Sequence, residues 1–207
     1  MLSLISCKRL RGRMRDDMGS AELWTIGHST RSIDEFIETL KTFRIQLLVD
    51  VRSFPGSRRY PHFNRENLAA SLTNAGIEYL HLSELGGRRR ARADSHNLAW
   101  RNESFRGYAD YMESENFRKG IMRLLDLAGA GRTAIMCSEA VWWRCHRSLI
   151  SDYLKVKDVA VTHIAAARKS EPHPFTSVAR IVNGELSYRG VLETEDRLDD
   201  NVAKSNS

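Results

Sequence analysis

Residues able to act as nucleophiles, proton carriers and anion ligands are concentrated in one short stretch, MCSEAVWWRCHRSLI, at positions 136–150. Two cysteines, a glutamate, a histidine and two arginines fall within eleven positions, around a pair of tryptophans. A thiolate is a nucleophile and a metal ligand, histidine exchanges protons near neutral pH, and arginine binds anions. The candidate functional residues of this stretch are therefore Cys137, Glu139, Cys145, His146 and Arg147.

Three interpretations of the stretch are open. In the first, Cys137 or Cys145 is a nucleophile, His146 or His28 transfers protons, and arginines hold an anionic substrate. In the second, Cys137, Cys145 and His146 bind zinc with a fourth ligand such as His28, although Cys-x7-Cys-His is not a known zinc spacing. In the third, the cysteines are small core residues and the tryptophans serve packing. The spacing of the cysteines also allows a reversible disulfide.

Alternating patterns of strands and helices must position these side chains. Apolar runs predict five strands, at 22–27, 46–51, 77–82, 133–137 and 159–164. Helical spacing lies between them, after Ser32, after Asn64, over 104–128 and over 144–155. This order predicts a single three-layer α/β domain with a mainly parallel five-stranded sheet and helices on both faces. Asn183-Gly184 between two strand-like runs predicts a C-terminal β-hairpin.

The predicted helix at 144–155 bears on the thiol chemistry. Its first turn would contain Cys145, His146 and Arg147. Free amides and the positive end of a helix lower the pKa of a thiol and attract anions. We therefore expect one thiol of the stretch to be partly ionised at neutral pH.

Polar groups stand where each predicted strand ends, and parallel strands bring these ends to one edge of the sheet. The five ends carry Gly27-His28-Ser29, Asp50-Val51-Arg52, His81 followed by Glu84, Cys137, and His163. One such group is usually structural, but five together predict a cleft. The roles that we predict are Cys137 as nucleophile, His28 or His146 as acid–base group, Arg52, Arg147 and Ser29 as anion ligands, and Asp50 and Glu139 as orienting carboxylates, with Cys145 beside them.

The charge of the chain indicates an anionic partner. The formal net charge is +6, and arginine dominates with 25 residues against 7 lysines. Arg58, Arg59 and Arg88 fall in loops that follow the second and third strands. They could clamp a small anion or a nucleic-acid backbone, or they could be solvated loop charge.

The composition also bounds location and organisation. Three cysteines in 207 residues do not suggest a disulfide scaffold, so a cytoplasmic protein is expected. No apolar run approaches the ~20 residues of a membrane span. Residues 1–20 are expected to be a disordered or untranslated tail, because Met14 or Met18 could be the start. Residues 21–192 would form the domain and 193–207 a frayed tail.

The segments TIGHSTRS, LLVDVRSFPGSRRYPHFN, YLHLSELGG, WRNESFRGYADYM and CSEAVWWRCHR together resemble the bacterial family called domain of unknown function 488. The resemblance runs from about Leu23 to His163, and its most specific element is Cys-x-Glu-x5-Cys-His-Arg. It implies a shared α/β fold and a shared site but no reaction.

A weaker resemblance is to rhodanese-like sulfurtransferases. It rests on a strand ending in Asp-x-Arg and a later strand ending in Cys before a helix. The loop here departs from the compact pattern of those enzymes because it contains Val141-Trp142-Trp143.

The leading hypothesis is a cysteine-nucleophile transferase or hydrolase acting on an anionic substrate, with nucleotides among the candidates. The first alternative is a nucleic-acid-binding accessory module without catalysis. The second is a protein with a structural zinc site. No cofactor is expected under the leading hypothesis, and the oligomeric state does not follow from the sequence.

Overall fold

A computed structural model describes residues 22–190 of the chain. The predicted tails, 1–20 and 193–207, lie outside these residues. Eight strands and five helices follow one another in the order β1 (Glu22–Gly27), α1 (Ile33–Thr42), β2 (Leu47–Asp50), α2 (Arg65–Asn74), β3 (Glu78–His81), α3 (Glu103–Met112), α4 (Glu115–Ala130), β4 (Thr133–Cys137), α5 (Arg147–Val156), β5 (Ala160–Ala166), β6 (Lys169–Pro172), β7 (Arg180–Val182) and β8 (Glu185–Ser187).

The main sheet has the strand order β3-β2-β4-β1-β5-β6. Its first five members are parallel, which confirms the predicted sheet. The sixth strand, β6, was not predicted, and it pairs antiparallel with β5 at one edge. Strand β4 lies at the centre and is buried along its whole length, as expected for a parallel strand covered on both faces.

Helices cover both faces of the sheet, as predicted. On one face, α1 and α2 bury Phe36, Leu40, Leu68 and Leu72 against the sheet. On the other face, α3, α4 and α5 pack over a second core cluster. The two layers hold β4 and its neighbours rigidly, so the carboxyl ends of β1, β2 and β4 form one fixed edge.

Side-chain caps set the starts of several helices. The hydroxyl of Ser32 accepts a hydrogen bond from the amide of Glu35 at the start of α1, as the capping pattern predicts. Asn102 and Ser114 cap α3 and α4 in the same way. The helical region predicted at 104–128, as two helices or one bent helix, is therefore two helices.

Helix α5 begins later than predicted. A 3₁₀ turn at Trp142–Arg144 precedes it, Cys145 is extended, and the first helical residue is Arg147. Cys145 and His146 therefore precede the helix instead of lying in its first turn. Trp142 explains the delay, because its ring stacks on His163 of β5 at 4.3 Å and anchors the loop across the sheet.

The predicted hairpin is present as β7 and β8. Asn183 and Gly184 at its turn have φ values of 52° and 78°, the left-handed pair that a type I′ turn requires. Among residues 22–190, no helix combines the length and apolarity needed to cross a membrane.

Candidate functional site

A cleft of about 670 Å³ opens at the carboxyl edge of the sheet, where β1, β2 and β4 end. Register places Gly27 of β1 beside Cys137 of β4, and Asp50 of β2 beside Met136. The cleft is lined by residues of all three strand ends and of the loops around them, including His28, Ser29, Arg52, Arg59, Arg88, Cys137, Glu139, Arg144, Cys145 and His146.

Two thiols and one imidazole meet at the floor of the cleft. Nδ1 of His146 lies 3.6 Å from Sγ of Cys145 and 3.9 Å from Sγ of Cys137. Nε2 of His146 lies 3.1 Å from the carbonyl oxygen of Val51. Because a carbonyl only accepts hydrogen bonds, Nε2 carries a proton, and Nδ1 is the ring nitrogen that faces both sulfurs.

Gly87 makes room for this imidazole. A Cβ atom on Gly87 would lie 2.3 Å from Nδ1 of His146, far inside van der Waals contact. The loop after β3 therefore fixes the His146 ring from the side opposite Val51. Nothing in the sequence around Gly87 indicates that an imidazole approaches it, because His146 is distant in the chain.

Arg147 lies behind Cys145 and is 1% exposed. Its Nε donates a hydrogen bond to Sγ of Cys145 at 3.4 Å. Burial opposes ionisation of the Cys145 thiol, but the adjacent Cys137 thiol together with the charge and hydrogen bonds of Arg147 outweighs it. These interactions lower the pKa of Cys145 to about 6.

Cys137 shows the opposite behaviour. Proximity to Cys145, together with burial, raises the pKa of Cys137 to about 12. Two thiols this close cannot both ionise readily, and Arg147 contacts only one of the two sulfurs. Cys145 therefore takes the negative charge and Cys137 keeps its proton.

A buried ion pair forms one wall of the cleft. The Arg52 guanidinium binds the Asp50 carboxylate with Nε at 2.9 Å and Nη2 at 2.6 Å, and Tyr79 donates its hydroxyl to the same carboxylate at 2.8 Å. Burial alone would lower the pKa of Arg52, but its hydrogen bonds with Asp50 raise it. Asp50 thus holds the Arg52 guanidinium in place, but Asp50 is 0% exposed and does not line the cleft.

His28 faces Arg52 and is neutral. Its Nδ1 lies 3.0 Å from the Ser29 carbonyl oxygen, so Nδ1 carries the proton, and Nε2 lies 3.4 Å from Nη1 of Arg52. Burial, followed by the charge of Arg52, lowers the pKa of His28 to about 4. His28 therefore cannot act as an acid near pH 7, and of the two histidines predicted as proton carriers only His146 faces the sulfurs.

The arginines that we predicted as anion ligands separate into two groups. Arg52, Arg59 and Arg88 line the cleft, and Arg144 joins them. Arg58 does not line it, and Arg147 is buried behind the thiol. Arg59 and Arg88 lie over the rings of Tyr60 and Phe54, so positive charge and aromatic surface occur together at the mouth.

Other predicted residues lie elsewhere. Strand β5 continues to Ala166, so His163 is not at its end, and it hydrogen bonds within the sheet instead of lining the cleft. His81 donates from Nε2 to the Arg52 carbonyl, and Glu84 pairs with Arg123. The expectation of five converging strand ends was therefore too broad, because β1, β2 and β4 supply the polar groups.

Ser29 and Glu139 line the cleft as expected. Ser29 has a φ of 53° and donates its amide to the Ser138 carbonyl, which joins the ends of β1 and β4. The Glu139 carbonyl, and not its carboxylate, accepts from Nη2 of Arg147. Thr25, Tyr79 and Gly87 also support the site, and sequence reasoning missed them because their contacts come from distant parts of the chain.

The two thiols and His146 could also hold a metal ion. Their three ligand atoms lie within 4.8 Å of one another, and His146 donates its other ring N–H to a carbonyl, as metal-bound histidines do. His28, the predicted fourth ligand, is not part of this group.

A family model described as domain of unknown function DUF488 matches residues 32–154, more than half of the chain. The chain belongs to this family. The match includes Asp50, Arg52 and the whole segment from Cys137 to Arg147, so the cleft floor lies within the family domain. Searches of curated proteins and of solved structures gave no significant match. These comparisons do not support the resemblance to rhodanese-like sulfurtransferases.

Proposed function

We propose that this DUF488 protein is a thiol-dependent transferase or hydrolase in which the Cys145 thiolate attacks an anionic substrate. One observation carries the proposal. The buried Arg147 guanidinium has no carboxylate within ion-pair distance among residues 22–190, and it contacts the Cys145 sulfur. Burying an uncompensated cation is costly, so an anionic sulfur is its natural counter-charge.

His146 is the proton carrier of the proposed reaction. Its Nδ1 accepts the Cys145 proton, while the Val51 carbonyl holds the opposite N–H of the ring. The thiolate sulfur then bonds to an electrophilic carbon of the substrate, and the leaving group departs with its bonding electrons and takes the proton from Nδ1. When the attacked carbon is an acyl carbon, the product of this step is a thioester. Water or a hydroxyl acceptor then gives its proton to Nδ1 of His146 as its oxygen bonds to the acyl carbon, and the C–S bond breaks to release Cys145 as a thiolate.

Cys137 has a supporting role in this proposal. From sequence we predicted Cys137 as the nucleophile, but its raised pKa keeps it protonated beside Cys145. A neutral thiol there can donate to the developing charge on the neighbouring sulfur or on the substrate. The choice between the two thiols is thus made by Arg147, which contacts Cys145 alone.

The cleft supports an anionic substrate. Arg59, Arg88 and Arg144 line it against one carboxylate, that of Glu139. Phe54 is 70% exposed at the mouth and offers a face on which an aromatic ring could stack. A phosphorylated or carboxylated compound fits this lining, and nucleotides remain among the candidates because they combine a negative charge with a flat ring.

The first test is covalent labelling by an anionic ester. In a Cys7→Ser background, so that only the two cleft thiols remain, 4-nitrophenyl hemisuccinate should release nitrophenol and leave a succinyl group on Cys145, located by peptide mass spectrometry. Cys145→Ser should abolish both signals. Neutral 4-nitrophenyl acetate should react more slowly. Labelling of Cys137 alone, or unchanged nitrophenol release by Cys145→Ser, would contradict the proposal.

Two alternatives from sequence remain distinct proposals. A zinc protein would contain stoichiometric metal after purification, and both thiols would resist alkylation until a chelator is added. A nucleic-acid-binding module would bind single-stranded oligonucleotides with an affinity that falls steeply with salt, and Cys145→Ser would not alter that affinity.

A further inference from the structure

Behind the cleft, a continuous line of buried hydrogen-bonding groups runs from Arg147 between helix α5 and strands β1 and β5. Its members come from β1, β5, α5 and the segment after β6, and each is at most 3% exposed: Thr25, Arg147, Asp152, His163 and His173. None of them lines the cleft. The proposed chemistry uses only Arg147, so the other four need an explanation.

The line ends at Asp152, whose carboxylate accepts hydrogen bonds from three residues. The Tyr188 hydroxyl lies at 2.7 Å, and Thr176 donates both its amide at 2.9 Å and its hydroxyl at 2.6 Å. Nε2 of His173 lies 3.0 Å from Oδ1 of the carboxylate, the oxygen that also accepts from the Thr176 amide. Since a carboxylate accepts and does not donate, Nε2 of His173 carries a proton.

The next members of the line are His163 and Thr25. Nε2 of His163 lies 2.8 Å from Nδ1 of His173, and Nδ1 of His163 lies 2.7 Å from the Thr25 hydroxyl. Burial, with the charges of His173 and Arg147, lowers the pKa of His163 to about 2, so His163 is neutral. Both ring nitrogens of His163 therefore have a buried hydrogen-bonding partner.

Thr25 closes the line onto the arginine. The Thr25 hydroxyl lies 2.7 Å from Nδ1 of His163, and its oxygen accepts a hydrogen bond from Nη1 of Arg147 at 3.2 Å. The other two sides of the guanidinium donate to the Glu139 carbonyl and to the Cys145 sulfur. Hydrogen-bonding contacts therefore run without a break from Arg147 to Asp152.

We propose that Thr25 and His163 are positioning residues that hold Arg147 against the Cys145 sulfur and thereby set the reactivity of this thiol. The inference rests on the proposed function, because it concerns the same thiolate. Because Nη1 and Nη2 of the guanidinium are held by Thr25 and Glu139, the plane of the group is fixed and its Nε–H points at the Cys145 sulfur. Without the Thr25 oxygen, Nη1 would be a buried donor without an acceptor, and the side chain would turn to find another.

A network that served only to fill the core would have no reason to end at the sulfur. Asp152 and Arg147 carry opposite charges at the two ends, yet two imidazoles and a hydroxyl separate them. The arginine is therefore not neutralised by direct contact with Asp152. Its positive charge lies beside the Cys145 sulfur, where it stabilises the thiolate and lowers the pKa of this thiol.

The test compares three threonine variants by the pH profile of Cys145 alkylation with iodoacetamide, followed by peptide mass spectrometry. Thr25→Val keeps the shape of the side chain and removes its hydroxyl, while Thr25→Ser keeps the hydroxyl. The matched control is Thr133→Val, because Thr133 is equally buried at the opposite end of β4 and donates only to Leu127 and Gly131.

We expect Thr25→Val to raise the apparent pKa of Cys145 by about one unit, which slows alkylation near pH 6 by about five-fold. The rate should return to the wild-type value at high pH, where the thiolate forms without help. Thr25→Ser and Thr133→Val should follow the wild-type profile. His163→Gln removes the imidazole that contacts the Thr25 hydroxyl from the other side, and it allows the same measurement if Thr25→Val does not fold.

The outcomes separate the two proposals. An ordinary thiol pKa for Cys145 in the wild-type protein would remove the proposed function and this inference together. A lowered pKa in the wild type that is unchanged in folded Thr25→Val or His163→Gln would overturn the positioning role alone.

Discussion

The guanidinium of Arg147 donates a hydrogen bond from Nε to the sulfur of Cys145 over 3.4 Å, although Arg147 is only 1% exposed. The sequence led us to expect that the first turn of a helix would activate a thiol in this region. The structure places Cys145 before the helix, so a buried side-chain charge takes the role that we had assigned to backbone amides. The reactivity of Cys145 is therefore open to change by a single substitution.

Arg147→Met should raise the pKa of Cys145 from about 6 toward the ~8.5 of a free thiol, because it removes the positive charge beside the sulfur. The lowered pKa means that the wild-type thiolate persists as the pH falls to about 6, and the variant should lose it below about pH 8. Alkylation rates against pH measure the difference. Arg144→Met is the control, since Arg144 lines the cleft without a hydrogen bond to Cys145, and an equal shift in both variants would contradict a specific role for Arg147.

Cys145→Ser should make Cys137 more reactive. The neighbouring Cys145 is the main cause of the raised pKa of Cys137, about 12 in the wild type. Replacing it with a group that stays neutral should lower that pKa, and Cys137 alkylation should begin at a lower pH than in the wild type. An unchanged Cys137 profile would show that burial, and not the shared charge, keeps this thiol protonated.

Gly87→Ala should disturb the site without disturbing the fold far from it. The added Cβ would lie 2.3 Å from Nδ1 of His146, so the ring must move away from the sulfurs. We expect a loss of roughly 1–3 kcal/mol in the free energy of unfolding and slower acylation of Cys145. Gly56→Ala is the matched control, because Gly56 lines the same cleft and its Cβ would meet nothing within 4 Å.

Much of the fold could be predicted from local sequence patterns. The apolar runs predicted β1 to β5, and Asn183-Gly184 predicted the hairpin, because these signals lie within a few residues of one another. Strand β6 escaped prediction because every residue of Lys169–Pro172 is exposed and polar or proline, which is typical of an edge strand and carries no apolar alternation.

The candidate site could be predicted less completely from the sequence. Sequence placed Cys137, Cys145, His146 and Arg52 at one cleft, since strand ends in a parallel sheet share an edge. It could not rank the two thiols, because the ranking depends on which sulfur faces Arg147. It also could not find the line from Arg147 to Asp152, in which the bonded partners Thr25 and His163 are 138 positions apart and meet through the register of β1 with β5.

Two buried histidines should make the protein less stable in mild acid. Burial is the largest cause that lowers the pKa of His28 to about 4 and of His163 to about 2, whereas the ordinary pKa of histidine is 6.5. As the pH falls below 6.5, the unfolded chain takes up protons that the folded chain resists. Each histidine should then lower the free energy of unfolding by up to about 1.4 kcal/mol per pH unit.

Urea unfolding at pH 7 and at pH 5 measures this loss. His28→Asn should remove part of the pH dependence, because it deletes one of the two groups. The matched control is His96→Asn, at a histidine that is 44% exposed, and the change in pH dependence should be larger in His28→Asn than in this control. Equal stability of the wild-type protein at both pH values would mean that the two histidines are not held neutral by the fold.

Adjacent arginines allow the anion-binding surface to be tested with a matched pair. Arg59 lines the cleft and Arg58 does not, although both belong to the same loop and carry the same charge. If the cleft binds anions, inorganic phosphate should slow the alkylation of Cys145, and Arg59→Gln should require about three- to ten-fold more phosphate for the same protection. Arg58→Gln should behave as the wild type. Equal effects of the two substitutions would indicate general attraction by net charge, because a bound anion contacts particular guanidinium groups and a diffuse field does not distinguish neighbours.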